Sequence, residues 1–205
     1  GRAGFDVTAE EVITAGTVTS AYLAERHAGD DIFVLGESGL VDILADAGLS
    51  LVGDAEAADA VVVSIDREFT YDDLCVALWG LSDDSVTFVG TDPDMVIPAA
   101  ERDVPGSGAV IHAVAGVTGR QPDVVLGKPS AFARDMVLDR LGLPPEECLV
   151  VGDRLDTDIA LGARSGMTTV LVRTGITDDA ALAASDIEPD YVLDSMAELE
   201  RILTG

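Results

Sequence analysis

The sequence has almost no lysine. Of the 12 lysine and arginine residues among 205, all but Lys128 are arginines. Against them stand 38 aspartates and glutamates, so the formal net charge is -26. The electrostatic field of this negative charge repels nucleic acids and anionic membrane surfaces, and we expect neither as a partner.

Cysteines and long apolar runs are also scarce. The two cysteines, Cys75 and Cys148, lie in separate apolar runs. This placement is typical of buried thiols in a reducing compartment rather than of a disulfide or metal framework. No apolar run approaches the ~18 residues that a membrane span needs, and no signal-peptide pattern is recognised. The sequence therefore predicts a cytoplasmic protein.

The high negative charge does not predict disorder, because 48% of the residues are hydrophobic. The acidic residues are spread through apolar segments rather than collected in a tail. Together with the lack of lysine, this pattern favours a folded protein adapted to concentrated salt, where self-repulsion is screened. An ordinary acidic protein is the alternative.

Short β-branched runs alternate with amphipathic stretches, which predicts an α/β protein. The apolar runs at 148–151 and 168–172 are continuous, as in strands of a parallel sheet that are buried on both faces. The predicted strands are 12–16, 31–36, 60–65, 85–90, 123–127, 148–153, 168–173 and 191–193. The predicted helices are 17–28, 38–47, 70–81, 107–118, 131–141, 156–165 and 195–203, and the Pro- and Gly-rich segment 93–108 predicts a long irregular loop.

Two aspartates follow the predicted strand 148–153. Asp153 comes at its carboxyl end, where open α/β sheets place their ligands, and Gly152 before it allows close approach. Asp158 lies in the first turn of the next helix and can face the same crevice. Two carboxylates aimed at one point suit Mg²⁺. For Asp156, stabilisation of the helix N-terminus is the favoured interpretation.

Lys128 also follows a predicted strand end and can project into the crevice of Asp153. At ~4 Å from a phosphate charge, with an effective dielectric constant of ~20, the attraction amounts to about 4 kcal/mol. A solvated surface lysine is the alternative. In this composition, however, we expect a surface position to carry Asp, Glu or Arg instead.

A third stretch, 88–98, reads "FVGTDPDMVIP". It has the form of a strand followed by an Asp-x-Asp nucleophile loop. Pro93 between Asp92 and Asp94 is equally suited to a turn. From the residues alone, the two interpretations stay open.

The segments "GKPS" at 127–130 and "VVGDRLDTDIALGARSGMTTVLVRTG" at 150–175 resemble the last two motifs of haloacid dehalogenase (HAD) superfamily phosphatases. The similar branch contains NagD and the p-nitrophenyl, pyridoxal-phosphate and phosphoglycolate phosphatases. The segments "VLGESGLVDILADAGL", "VSIDREFTYDDL", "TDPD", "PGSGAVIHAV" and "YVLDSMAEL" also resemble that branch.

The resemblance implies a Mg²⁺-dependent phosphomonoester hydrolase of small phosphorylated metabolites, built as a Rossmann-like core with a large inserted α/β cap. The core would comprise 1–28 and 123–205, and the cap 29–122. The relatives suggest a homodimer formed through the cap.

By the same resemblance, Lys128 would hold the transferring phosphoryl group, and Asp153 would ligate Mg²⁺. Asp158 would support the metal and its waters. Asp92, Asp94 and Ile97 would lie in a cap loop that contacts the substrate, so the resemblance argues against Asp92 as nucleophile. Similar pyridoxal-phosphate phosphatases carry a histidine where Ile97 stands, so that substrate is not expected.

The family's nucleophile lies in an Asp-x-Asp-Gly loop after the first core strand, and the sequence contains no such motif. We therefore expect a truncated phosphatase that lacks the first core strand and is inactive as these 205 residues alone. The alternative is a catalytically inactive module that binds phosphate or Mg²⁺. A relocated nucleophile at Asp92 is a third, weaker reading.

Overall fold

The computed structural model describes residues 7–8 and 11–203. The chain divides into two compact units, the first ending at Gly127 and the second beginning at Lys128. Among the described residues, no helix has the length and apolar character that a membrane crossing requires.

The first unit is built on a five-stranded parallel sheet in the order β2-β1-β3-β4-β7. A separate antiparallel pair is formed by β5 and β6. The strands are β1 (Asp31–Leu35), β2 (Ser50–Leu51), β3 (Ala60–Val63), β4 (Thr87–Gly90), β5 (Val96–Ile97), β6 (Val104–Pro105) and β7 (Val124–Val125). The helices are α1 (Ala15–Arg26), α2 (Ser38–Asp46), α3 (Tyr71–Gly80) and α4 (Ser107–Thr118), with a short 3₁₀ turn at Ala55–Ala57.

The central strand β3 is buried along its whole length, as its continuous Val run predicts. On one side of the sheet, the hydrophobic core of the first unit is formed by side chains of the sheet and of α3 and α4. Phe88, Leu81 and Val114 are fully or almost fully buried in that core. Burial of such apolar surface, at roughly 25 cal/mol per Å², is the main force that holds the unit together.

The second unit has a three-stranded parallel sheet in the order β10-β9-β8. Its strands are β8 (Leu149–Gly152), β9 (Thr168–Val172) and β10 (Tyr191–Leu193). The α-helices are α5 (Ala131–Leu141), α6 (Ala160–Ser165), α7 (Asp179–Ala184) and α8 (Glu200–Leu203). A π-helical turn (Leu155–Ile159) precedes α6, and 3₁₀ turns occupy Pro145–Glu147 and Met196–Glu198.

A small apolar cluster of Leu155, Ile159 and Leu171 joins the π-helical turn to β9. Leu182 and Ile187 pack against it from the segment that contains α7. The turn that carries Asp158 is therefore anchored to the sheet by the burial of its apolar side chains.

Most predicted elements are present, including α4 and α5 with the expected bounds. The strand predicted at 12–16 is wrong. Thr14 caps a helix that begins at Ala15, and a reciprocal bond with Thr17 completes a capping box. The predicted helix 156–165 begins as a π-helical turn, and the segment predicted as a loop at 93–108 contains the β5–β6 pair.

Candidate active site

Asp153 follows β8 directly, and the loop after β9 holds it in place. Its backbone carbonyl accepts hydrogen bonds from Thr177 N at 3.1 Å and Thr177 Oγ1 at 2.7 Å. Its carboxylate Oδ2 accepts from Ile176 N at 3.1 Å. The backbone and the side chain of Asp153 are thus both fixed by one neighbouring loop.

Gly175 in the same loop leaves space for the Asp153 side chain. A Cβ atom at position 175 would lie within 3.0 Å of the Cβ, Cγ and Oδ2 atoms of Asp153. Only glycine permits this approach without moving the carboxylate.

Asp158 lies in the π-helical turn, with only 8% of its surface exposed. Its Oδ2 accepts a hydrogen bond from Arg154 N at 3.3 Å. A Cβ atom at Gly152 would lie within 3.0 Å of the Asp158 side chain, so this carboxylate also packs against a glycine. Two glycines, one at the end of β8 and one after β9, therefore make room for the two predicted carboxylates.

Lys128 pairs with Asp158, as its Nζ lies 2.5 Å from Asp158 Oδ1. The lysine side chain is 52% exposed, whereas that of Asp158 is 11% exposed. Because the ammonium is half exposed, the pair contributes little to stability. The contact holds the ammonium in one direction and leaves part of it accessible to an anion.

The carboxylates of Asp153 and Asp158 can provide some, but not all, of the oxygen ligands that Mg²⁺ needs. Mg²⁺ is usually held by one or two carboxylates together with waters and substrate phosphate. Asp153 has one carboxylate oxygen, Oδ1, that makes no hydrogen bond to any described residue, so it suits a ligand. Both oxygens of Asp158 are engaged, one by Lys128 and one by Arg154 N, which suits a supporting role. Within the described ranges, no three His, Cys, Asp and Glu side chains are grouped to hold a metal ion.

Asp92, Asp94 and Ile97 belong to the first unit, where they line one cleft of about 390 Å³. Asp92 follows β4, and its Oδ1 accepts a hydrogen bond from Asp94 N at 2.8 Å. The structure thus brings Lys128 to Asp158, and brings Asp92, Asp94 and Ile97 to one another. Nowhere in the described part of the chain does a hydrogen bond join Asp153 to Lys128 or Asp158.

Comparison with known proteins identifies the family. The haloacid dehalogenase-like hydrolase model matches residues 1–50, and the HAD-hydrolase-like model matches 125–199. An acid sugar phosphatase of Staphylococcus epidermidis is 36% identical over 200 residues, covering 96% of this chain and 76% of that protein. The chain belongs to the haloacid dehalogenase superfamily.

Solved structures of HAD phosphatases agree with this assignment. A p-nitrophenyl phosphatase from Archaeoglobus fulgidus matches with a TM-score of 0.90 at 35% identity, covering 98% of this chain and 78% of that one. NagD from E. coli K-12 matches with a TM-score of 0.83 at 28% identity, covering 96% and 76%. The predicted membership of the NagD and p-nitrophenyl phosphatase branch, the α/β fold with a parallel sheet, and the phosphatase type of enzyme are confirmed.

Sequence reasoning missed several residues that support Asp153 or line the cleft of the first unit. Gly175 and Thr177 lie just after β9, as Asp153 does after β8, so their position near a strand end was an available signal. The cleft of the first unit is lined by three hydroxyl side chains, those of Ser64, Thr91 and Ser107. Small uncharged residues of this kind are common along the sequence. No pattern of charge or spacing distinguishes these hydroxyls in the sequence.

Proposed function

We propose that this HAD phosphatase is a Mg²⁺-dependent phosphomonoester hydrolase that works through an aspartyl-phosphate intermediate. The observation that carries the proposal is the ion pair between Lys128 and Asp158, in which Asp158 follows the same strand, β8, as Asp153. A half-exposed ammonium that is oriented by a buried carboxylate is suited to hold a phosphoryl group. The named phosphatases among the relatives support the reaction type.

In this proposal, a carboxylate attacks phosphorus, its bond to phosphorus forms, and the bond from phosphorus to the alcohol oxygen breaks. Water then cleaves the acyl phosphate and releases inorganic phosphate. Lys128 holds the transferring phosphoryl group and neutralises its charge. Asp153 would ligate Mg²⁺, and Asp158 orients Lys128 and the waters. Bound Mg²⁺ would supply further charge neutralisation at the phosphate.

The sequence contains no Asp-x-Asp-Gly motif, and we assign the nucleophile to none of its residues. Asp92 is not proposed for that role, because its Oδ1 is engaged by Asp94 N in the turn after β4.

We further propose that the substrate is a small phosphorylated metabolite whose alcohol part contacts Asp92, Asp94 and Ile97. Support comes from the shared cleft of these residues and from the names of the relatives, which include an acid sugar phosphatase. The division into core (1–28 and 123–205) and cap (29–122) stays a prediction. The pairing of β7 with β4 favours a cap that ends near Gly127.

Three other features stay predictions: a homodimer through the cap, a cytoplasmic location and adaptation to high salt. The first rests on the resemblance to the NagD branch, the second on the isolated cysteines, and the third on the net charge of -26 with a single lysine.

The test is an assay of the full-length natural protein with p-nitrophenyl phosphate and sugar phosphates at high salt, with and without Mg²⁺. We expect Mg²⁺-dependent turnover that falls on the order of 10²–10³-fold in Lys128→Ala, because a charge that stabilises the transition state is lost. Asp153→Asn should raise the Mg²⁺ concentration needed for half-maximal activity.

Arg134→Ala is the matched control, since it removes another cation paired with an aspartate on the surface. It should leave turnover unchanged. Phosphate binding without hydrolysis by the full-length protein would contradict the proposal and favour the inactive binding module.

A further inference from the structure

The first unit contains a second cavity, separate from the cleft that Asp92 and Asp94 line. Its volume is about 150 Å³, and none of the described residues that line it also lines the cleft. A cavity of roughly this size holds one benzene-sized molecule. We call it the α4 cavity, because four of its lining residues belong to α4.

The α4 cavity lies between α4 and the edge strand β7. Gly108, Ile111, His112 and Ala115 line it at the helical spacing i, i+3, i+4 and i+7, so they share one face of α4. Val125 contributes from β7, the last strand of the five-stranded sheet. Because Gly108 and Ala115 have little or no side chain, α4 leaves space beside this edge strand unfilled.

The inner wall of the α4 cavity is apolar. Ile111 is 2% exposed and Ala115 is 5% exposed, and both belong to the core of the unit. Pro93 and Pro122 also line the cavity. Among the described lining residues, none is an aspartate, a glutamate, a lysine or an arginine. A charged ligand would lose hydration in this wall without gaining an ion pair, so we expect a neutral ligand.

His112 gives the cavity a hydrogen-bond acceptor. Its Nδ1 lies 2.7 Å from the carbonyl oxygen of Gly108, which can only accept, so Nδ1 carries the hydrogen. In the neutral ring, Nε2 then keeps a lone pair, and it makes no hydrogen bond to any described residue. The backbone of α4 thus fixes the tautomer of a side chain at the exposed mouth of the cavity.

Gln121 adds a second polar group at the mouth. The residue is exposed, and within the described part of the chain its side-chain amide makes no hydrogen bond. An amide side chain both donates and accepts. The mouth therefore offers an acceptor in His112 and a donor in Gln121, a combination that matches a hydroxyl group.

We propose that the α4 cavity binds a neutral molecule with one aromatic ring and one hydroxyl group, that is, a simple phenol. The ring packs against the apolar wall, and the hydroxyl donates to Nε2 of His112. A rigid ring loses little conformational freedom on binding, which favours it over an open chain. A hydrocarbon of the same size leaves the acceptor unused. A carboxylate cannot donate, and the net charge of -26 opposes its approach.

One loop contributes to the walls of both cavities. Pro93 lines the α4 cavity, whereas its neighbours Asp92 and Asp94 line the cleft. Gly108 N donates to Asp94 O at 2.9 Å, and a Cβ atom at position 108 would lie within 3.0 Å of the backbone carbonyl of Pro93. The helix face that lines the α4 cavity is thus packed directly against the loop.

A phenol in the α4 cavity favours the loop arrangement in which Pro93 forms part of the wall. In that same arrangement, Asp92 and Asp94 line the cleft. On this basis the α4 cavity has a regulatory role. The role rests on the proposed function, in which both aspartates contact the substrate, whereas the binding of phenol does not.

The binding test uses the full-length natural protein in buffer free of Mg²⁺ and phosphate at about pH 8, where a histidine side chain is neutral. Phenol and toluene are the probes, because they share size and shape and differ in the hydroxyl group. Binding is followed by NMR titration of backbone amides. We expect saturable binding of phenol below about 10 mM, as for a small fragment, with the largest shifts in α4 and β7.

His112→Phe removes the acceptor and keeps a ring at the mouth of the cavity. It should weaken phenol binding roughly three- to tenfold through loss of one hydrogen bond. Toluene binding should stay unchanged, because toluene makes no use of the acceptor. An equal change for both probes would overturn the assigned hydrogen bond.

Ala115→Leu tests the cavity itself by filling it. The larger side chain should weaken phenol binding about tenfold or more. Ala45→Leu is the matched control, since Ala45 is exposed on α2 and is not among the described lining residues of either cavity. It should bind phenol as the parent does.

Thermal unfolding verifies that both leucine variants fold, and His112→Phe, at an exposed position, keeps the site testable if Ala115→Leu does not. The site is overturned if the parent shows no saturable binding of phenol. It is equally overturned if a folded Ala115→Leu binds phenol as tightly as the parent.

The regulatory role is tested with Mg²⁺ and a sugar phosphate, a substrate without a phenolic leaving group. Phenol should lower KM on the order of fivefold in the parent and have no effect in Ala115→Leu. A change of KM that persists in Ala115→Leu would locate the action of phenol elsewhere and overturn the role, as would an unchanged KM in the parent. Loss of hydrolysis with intact phenol binding would count against the proposed function alone.

Discussion

The carboxylate of Asp153 packs so closely against Gly175 that position 175 has no room for a side chain. Even a methyl group would lie within 3.0 Å of three Asp153 side-chain atoms. The neighbouring Ile176 N donates to Asp153 Oδ2, so a shift of this loop would also loosen that hydrogen bond.

We therefore expect Gly175→Ala to displace the Asp153 carboxylate. The concentration of Mg²⁺ at half-saturation should rise by about 10–100-fold, as is usual when a metal ligand loses its support. Isothermal titration with Mg²⁺ measures the affinity, and thermal unfolding checks the fold.

The control is Gly116→Ala, which adds a methyl group in open space within α4. It should leave Mg²⁺ binding unchanged and stabilise the helix by up to about 1 kcal/mol. An unchanged Mg²⁺ affinity in Gly175→Ala would show that the carboxylate does not depend on the glycine.

Arg120 ties three backbone carbonyls together at one end of the first unit. Its guanidinium donates to Leu81 O, Asp83 O and Val86 O at 3.2, 3.0 and 2.8 Å. Arg120→Lys keeps the charge but loses the planar fork that spans these acceptors. We expect the free energy of unfolding to fall by about 1–3 kcal/mol, because two or three hydrogen bonds to part-buried or exposed carbonyls are lost and each contributes about 0.5–1.5 kcal/mol.

Urea denaturation measures this change. Arg26→Lys is the control, because the Arg26 side chain is 62% exposed and its only ion pair within the described part of the chain is with Glu25. Equal stability of the two variants would mean that the carbonyl contacts of Arg120 do not contribute.

Asp190 links stability to pH. The backbone N–H and the hydroxyl of Thr169 donate to Asp190 Oδ2, both at 2.8 Å, and hold the pKa of this carboxyl below its ordinary value. A carboxyl with a lowered pKa in the folded state stabilises the fold above the unfolded pKa of ~3.9, and this contribution is lost as pH falls through the folded value.

Asp190→Asn should therefore be less stable than the parent at about pH 6, and the difference should shrink towards about pH 3. Chemical denaturation across that range measures the free energy of unfolding. Asp186→Asn, at an exposed position in the same segment, is the control. A difference that stays constant with pH would rule out the linkage.

The net charge of -26 predicts that salt stabilises the fold. At about 1 M salt the screening length falls to ~3 Å, which removes most repulsion between surface carboxylates. We expect the unfolding temperature to rise steadily between about 0.1 M and about 2 M KCl by screening. Sucrose at matched osmolality separates screening from exclusion effects, and an equal rise in both solutes would contradict the electrostatic cause.

Much of the fold follows from local sequence signals. The bounds of α4 and α5 are predicted correctly because Gly119 and Gly142 adopt positive φ angles of 70° and 64° at their ends. Ser130 caps the start of α5 through Ala133 N at 3.1 Å. Residues that start or end a helix act on backbone groups only a few positions away. They can therefore be recognised in the sequence without knowledge of the tertiary structure.

The strand prediction at 12–16 is wrong because residue propensity and helix capping conflict there. Its β-branched residues favour a strand by propensity, yet Thr14 and Thr17 exchange capping hydrogen bonds that start α1 instead. The β5–β6 pair was also missed. Two-residue strands give no periodicity, and the pair is held by contacts of Gly106 and Gly108 that only the folded chain reveals.

Some residues of the candidate site could likewise be predicted from the sequence, and others could not. Lys128, Asp153 and Asp158 could be singled out because each lies near a strand end and carries a charge. The supports of Asp153, namely Gly175 and Thr177, depend on how the loop after β9 packs across the sheet. Hydroxyls such as Ser107 acquire their place from the helix that carries them, and residue type alone does not indicate it.

The half-exposed ammonium of Lys128 also offers a single position for labelling the protein with an amine-reactive reagent. The 205 residues offer a single amine side chain, and it is the one that contacts Asp158. An acylating fluorophore would therefore modify one side chain, without any prior mutagenesis to remove competing lysines. The scarcity of lysine that marks the composition thus turns the candidate site into the chain's only side-chain handle for amine conjugation.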